Sequence, residues 1–342
     1  MAISVLAGFR FLYSSFNGTS IHPESPIDKT WWNGLTEEWR NVLVINQNID
    51  THGADLFQIQ TEYINRMREA HQPGLSEMNR SLHDLNDASM FILSYHDLYA
   101  RALRTGHVPK TDSINLETLA DLDTLYMVNG PSDLSPLRKF KHLKVLIMNF
   151  CGNDYNTGLR QPLDLEPLRH LKELKVLQCV SSRLKSLDPI RNLLHLEALS
   201  LNNTGITDLR PIKNLVRLKK LSFGSDVRRA SVVSRLVNLE ELYMKGCARA
   251  PNLSGLKKLR KLAIAESEMS LISGAHRIND LDFLKSATNL EFLDLRLTSY
   301  RGNLSVLYGL QKLRAVTLPP VGGSEMSLFK ETRKECVVLN SF

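Results

Sequence analysis

The chain has 342 residues and a formal net charge of +7 at pH 7. Its length suffices for a large core or for two domains, and the lack of any apolar run of eighteen residues argues against a membrane-spanning helix. Four cysteines without a C-x-x-C pair and ten histidines without an H-E-x-x-H spacing give no support to a metal or cofactor site, and packing explains the cysteines better than disulfides do.

The first element is an apolar stretch, Met1 to Phe16, which lacks a basic leader and carries Arg10 at its middle. It reads as non-secretory, so a cytoplasmic location is expected, with export as the alternative. Trp31, Trp32 and Leu35 then precede Thr36, which is placed to cap a helix holding Trp39, Val42, Leu43 and Asn46 at helical spacing. Two further helices are expected over Ala54 to Ala70 and Ser76 to Arg104, with Pro73-Gly74 between them and Gly106 and Pro109 ending the series. Residues 1–115 are thus expected to be mainly helical. They hold 9 Lys and Arg against 13 Asp and Glu, which leaves 34 against 23 for the remainder of the chain.

From Leu116 a pattern L-x-x-L-x-L recurs nine times. Its middle residues are Leu125, Leu146, Leu177, Leu199, Leu221, Leu242, Leu262, Leu293 and Val316, at spacings of 21, 31, 22, 22, 21, 20, 31 and 23. A fixed period of this length means a solenoid. Side chains alternate across a strand, so each copy should supply one short strand with buried leucines, and the copies together one parallel sheet. Past each strand a small polar position holds Cys151, Ser182, Thr204, Cys247, Ser267 and Thr298, where hydroxyl or thiol can bond turn backbone. An Asp-Leu-x-Pro-Leu segment often follows, as at Asp133, Asp164 and Asp208, with Asp suited to capping a helical turn and Pro to opening it. Gly130 departs from the small polar position, and Arg228-Arg229-Ala230-Ser231 replaces the Leu-x-Pro stretch, so a looser coil is expected there. Ser324 to Lys330 should form a last helix and Cys336 to Leu339 a closing edge strand.

These repeats resemble the leucine-rich repeat family, in particular its short 22-residue class of bacterial internalins and phosphatase regulatory subunits. The resemblance implies an α/β solenoid: a curved scaffold with a parallel sheet on its concave face and no catalytic residues of its own. The stretch from Trp31 to Trp39 resembles the cap helix that precedes the repeats in some internalin-like proteins. The expected division is a helical cap and extension over 1–115, repeats over 116–318 and a terminal cap over 319–342, with Asp50 to Lys110 as an insertion or small separate domain. Stacked repeats need such caps, because an open end coil leaves its leucines in water.

A partner would meet the outward column between the paired leucines: Tyr126, Ile147, Gln178, Ser200, Ser222, Tyr243, Ala263, Asp294 and Thr317. Flanking columns add Lys220, Glu241, Lys261 and Phe292 on one side and Asn149, Asn202, Lys245 and Arg296 on the other. Tyr126, Ile147, Tyr243 and Phe292 combine apolar anchors with nearby charge, the usual makings of a protein hot spot, unless neighbouring side chains cover them. The two long spacings place insertions after the strands at Leu146 and Leu262, on one edge and about 24 Å apart at the usual strand spacing. Tyr155, Arg160, His276 and Arg277 are their contact candidates, although loops also accept neutral insertions.

No nucleophile elbow, phosphate-binding glycine loop, dinucleotide fingerprint or kinase signature is present, so an enzyme is not expected. The expected function is a monomeric protein-interaction module, as inhibitor or scaffold, whose unidentified protein partner could be acidic. One alternative is an anionic-polymer or nucleic-acid binder, since bases cluster before the strands at Arg138 to Lys144 and Lys257 to Lys261. The other is an exported, internalin-like adhesin.

Overall fold

The computed structural model describes residues 27–44, 46, 114–128, 130–152, 161–224, 227–245, 252–265, 278, 280–295, 298, 300 and 302–339. Met1 to Phe16 and the helices expected over Ala54 to Ala70 and Ser76 to Arg104 lie outside the described residues.

Ten short strands form one sheet in strict chain order: β1 (Thr124–Val128), β2 (Val145–Asn149), β3 (Val176–Gln178), β4 (Ala198–Leu201), β5 (Lys220–Phe223), β6 (Glu241–Lys245), β7 (Lys261–Ala265), β8 (Phe292–Asp294), β9 (Ala315–Thr317) and β10 (Val337–Leu339). Every neighbouring pair is parallel. The nine middle residues of the repeat stand opposite one another from Leu125 to Val316, and Val338 continues the row. A parallel strand requires a crossover, and here each crossover is one turn of a solenoid that stays open. The fold is therefore a curved α/β solenoid with the sheet on its concave side.

Most coils return through a short 3-10 helix, as at Ser135–Lys139, Glu166–His170 and Arg210–Asn214. The aspartates act one residue earlier than a helix cap does. Asp133, Asp164 and Asp208 each accept the backbone N–H two residues on, at 2.9 Å, an Asx turn that aims the chain into the helix. Leucines on either side of each turn are buried in one continuous core. The junction without Leu-x-Pro is not loosened: Ser231–Arg235 forms the same 3-10 helix, Val232 and Val233 fill the core, and the Leu209 N–H bonds the Arg229 carbonyl at 3.2 Å. Aliphatic bulk at the right position replaces the proline.

The small polar position bonds turn backbone, of the preceding coil at Ser182 and of its own coil at Thr204 and Thr298. Ser182 Oγ accepts the Cys151 N–H at 2.9 Å and donates to the Met148 carbonyl at 3.2 Å, and Thr204 and Thr298 donate to Leu201 and Leu295 carbonyls. Gly130 is tightly enclosed, since a Cβ there would lie 3.1 Å from both the Cys151 Sγ and the Met127 Cε. Burial pushes the Cys151 thiol up to about 12 and also raises that of Cys179, which sits just after β3 rather than within it. Both are therefore packing groups rather than nucleophiles.

Both ends of the stack are covered. Thr36 Oγ1 accepts the Trp39 N–H at 3.3 Å, and helical residues 37–44 lay Trp39, Val42 and Leu43 onto the core of the first coil. Trp31 meets Phe140 edge to face at 6.3 Å, and Trp39 Nε1 donates to the Asp133 carbonyl at 2.7 Å. At the other end the helix Gly323–Thr332 buries Phe329, which stacks on Tyr308 with ring centres 5.9 Å apart.

Candidate functional site on the concave face

Strand register places Tyr126, Ile147, Gln178, Ser200, Ser222, Tyr243, Ala263, Asp294 and Thr317 on successive rungs of one column. Lys245 stands two residues beyond Tyr243 on β6, and Phe292 lies in the flanking column. Arg296, Tyr155, Arg160, His276 and Arg277 lie outside the described residues.

The column is not uniformly open. Tyr126, Gln178 and Tyr243 are half-buried, whereas Ile147 is 9% exposed, Phe292 7% and Asp294 3%. Phe292 is thus no free anchor: Lys261 Nζ lies over its ring, 5.9 Å from the centre, and buried Ala315 occupies the next rung. Ile147 sits between Tyr126 and Gln178, and Asp294 between buried Ala263 and Thr317. Rungs this close let long side chains cover their neighbours.

Among the described residues, the face holds a shallow hollow of about 170 Å³ across β3 to β6, lined by Gln178, Ser200, Ser222, Tyr243, Lys220 and Glu241. A polar network joins part of this lining. Asn149 Oδ1 accepts from Gln178 Nε2 and from the Val180 N–H, each at 3.2 Å, while Asn202 Nδ2 donates to Ser222 Oγ at 2.5 Å. In the flanking column, Glu241 bridges Lys220 at 3.2 Å and Lys261 at 3.3 Å, which extends an alternating ladder from Lys220 to the Phe292 ring. The Lys-Glu-Lys-Phe order of that column was visible in the sequence; the pairing of its charges follows from adjacent rungs. Fixed hydroxyls and amides around one half-buried tyrosine suit the binding of a polypeptide surface. Among the described residues, no three His, Cys, Asp or Glu side chains are grouped to hold a metal ion, and no helix is long and apolar enough to cross a membrane.

Residues 123–320, more than half of the sequence, match the family description "Leucine-rich repeat region". The chain belongs to the leucine-rich repeat family. Among solved structures, an internalin (inlF) of Listeria monocytogenes is similar at 24% identity and a TM-score of 0.51, over 66% of this chain and 70% of that one. An internalin C2 of the same species (20% identity, TM-score 0.41, 54% and 79% covered) and a leucine-rich repeat protein of Leptospira interrogans (20%, 0.40, 60% and 62%) also match. No curated protein matches significantly. Identity at this level speaks for the fold. Leucine-rich repeat solenoids are typically interaction modules that use an extended concave surface.

Proposed function

We propose that this leucine-rich repeat protein is a non-enzymatic, monomeric interaction module that holds a partner protein across its concave face as an inhibitor or scaffold. The observation that carries this reading is the hollow over β3 to β6, where Tyr243 stands beside hydrogen-bonded polar groups and the Lys220–Glu241–Lys261 ladder. Tyr126, Gln178, Tyr243 and Lys245 are the contact residues on that face. Ile147, Phe292 and Asp294 support it from beneath. Tyr155, Arg160, Arg296, His276 and Arg277 are proposed from the sequence as additional contacts.

The test is affinity capture from native lysate at low and at moderate salt, comparing wild type with Tyr243→Ala/Gln178→Ala. A single protein retained by wild type at both salts and lost from the variant supports the concave face. Capture of the same protein by both chains removes it. Salt-sensitive nucleic acid held equally by both would favour an anionic-polymer binder using the basic edge, because counterion release makes such binding fall steeply with salt. The same reading holds in the cytoplasm or after export, and fractionation of cells distinguishes the two.

A further inference from the structure

The segment that returns each coil to the sheet reads L-x-x-L, with Phe140 and Ala287 in place of the first leucine in two coils, and both ends of it lie in the core. In three consecutive coils the first residue between them is aliphatic and exposed: Leu194 at 51%, Val216 at 45% and Val237 at 49%. The same position holds Lys141, Lys172, Lys257, Thr288 and Gln311 in other coils, all exposed. A repeat that elsewhere keeps this position polar thus carries a short aliphatic ladder at its centre, bounded by Lys172 and Lys257.

The surroundings of the ladder are cationic. Arg191, Lys213 and Arg235 precede its rungs by three, three and two residues, while Arg217 directly follows one of them, and all four are exposed. Arg191, Lys213 and Arg235 also line a groove of about 1010 Å³ over the 3-10 helices of these coils. Both carboxylates of that groove are already engaged, Asp188 with Arg191 at 2.8 Å and Asp208 with Arg210 at 2.6 Å. Lys213 and Arg235 form no ion pair among the described residues.

We infer that this edge, in the segments between the 3-10 helices and the strands, docks an acidic amphipathic helix of a partner protein. Three rungs at about 4.8 Å per coil span roughly 10 Å. The i, i+4, i+7 stripe of an α-helix spans about 10.5 Å, so its apolar residues fall in step with Leu194, Val216 and Val237. Glutamates beside the stripe would meet Lys213 and Arg235 on one side and Arg217 on the other. A symmetric contact with the same edge of a second copy is a poorer occupant, because it would bring the same cations against themselves. The inference stands apart from the concave-face reading.

The probe is a fluorescein-labelled synthetic helix of about 18 residues, with leucines at i, i+4, i+7 and i+11 and glutamates flanking them, titrated with the full chain and followed by anisotropy. Saturable binding is expected for wild type and for Tyr243→Ala, which isolates this surface from the concave hollow. Leu194→Lys/Val216→Lys/Val237→Lys should weaken binding at least about tenfold without changing the thermal transition, since neighbouring coils carry lysine at this position. Lys213→Glu/Arg235→Glu, which leaves the ladder intact, should weaken it similarly. Equal binding by both variants overturns the proposal, as does lack of saturation up to about 1 mM. A wild-type dimer that the lysine variant makes monomeric in sedimentation velocity also overturns it, by assigning the ladder to self-association.

Discussion

Asn46 closes the open edge of the sheet on Tyr126. Its Oδ1 accepts the Tyr126 N–H at 2.7 Å and its Nδ2 donates to the Tyr126 carbonyl at 2.8 Å and to the Val42 carbonyl at 2.7 Å. A side-chain amide thereby stands where a preceding strand would be, and it is itself buried. The unpaired edge that invites another chain is satisfied at its central residue.

Asn46→Ala should accordingly cost about 1–3 kcal/mol, because the N–H and C=O of Tyr126 lose their partner in a half-buried setting. Asn46→Asp keeps the acceptor but loses both donors and buries a charge, so it should be at least as damaging at pH 7. Urea unfolding midpoints check both, and an unchanged midpoint for Asn46→Ala would show that the edge is not held by this amide.

Arg333 ties the terminal cap to the last coil at the other end. Buried beneath β10, it donates to the Leu307 and Leu310 carbonyls at 2.9 Å and to that of Leu313 at 3.1 Å, and pairs with Glu335 at 2.6 Å. Arg333→Met should destabilise by about 1–3 kcal/mol by leaving the Leu313 carbonyl without its donor and removing a second bond from the Leu307 and Leu310 carbonyls, which also accept the Leu310 and Leu313 N–H, with fast amide exchange confined first to β9 and β10. Arg333→Lys should recover only part of this, since an ammonium cannot reproduce the planar fork.

Leu199 and Leu194 are five residues apart and differ only in where the coil puts them. Leu199→Ala should cost about 2–5 kcal/mol by opening a cavity in the stacked core, whereas Leu194→Ala, at an exposed position, should fall within about 0.5 kcal/mol of wild type. Thermal denaturation of the two single variants makes the comparison, and similar losses in both would be incompatible with the register described.

Glu291 and Arg260 form a paired contact across β7 and β8 at 2.7 and 2.9 Å. The guanidinium holds the Glu291 carboxyl below its ordinary range. A depressed folded-state pKa contributes stability that is fully present above the unfolded value of about 4.3 and is lost as pH falls through the folded one. Because Arg260 is largely exposed, the contribution should be only about 0.5 kcal/mol. Unfolding midpoints at pH 7 and pH 3 should converge between wild type and Glu291→Gln at the lower pH, and an equal gap at both would rule out this linkage.

Much of this molecule is written in its period. The L-x-x-L-x-L spacing specifies strand, buried face and register from Leu125 to Val316, because alternation along a strand and repetition between coils are local rules that tertiary context need not supply. The same period located the concave column, and Thr36 with Trp39 announced the helix beside the first coil. Burial on the concave column was decided only by the assembled stack. Ile147, Phe292 and Asp294 occupy outward positions yet are covered, since the side chains of adjacent rungs belong to residues more than twenty positions away. The contacts at the two ends are equally non-local: Asn46 reaches Tyr126 across eighty residues, and Arg333 reaches back to carbonyls of the preceding coil. An Asn on a helix and an Arg after one carry no signal of this in sequence, because which backbone groups come within their reach is defined by where the repeats stop.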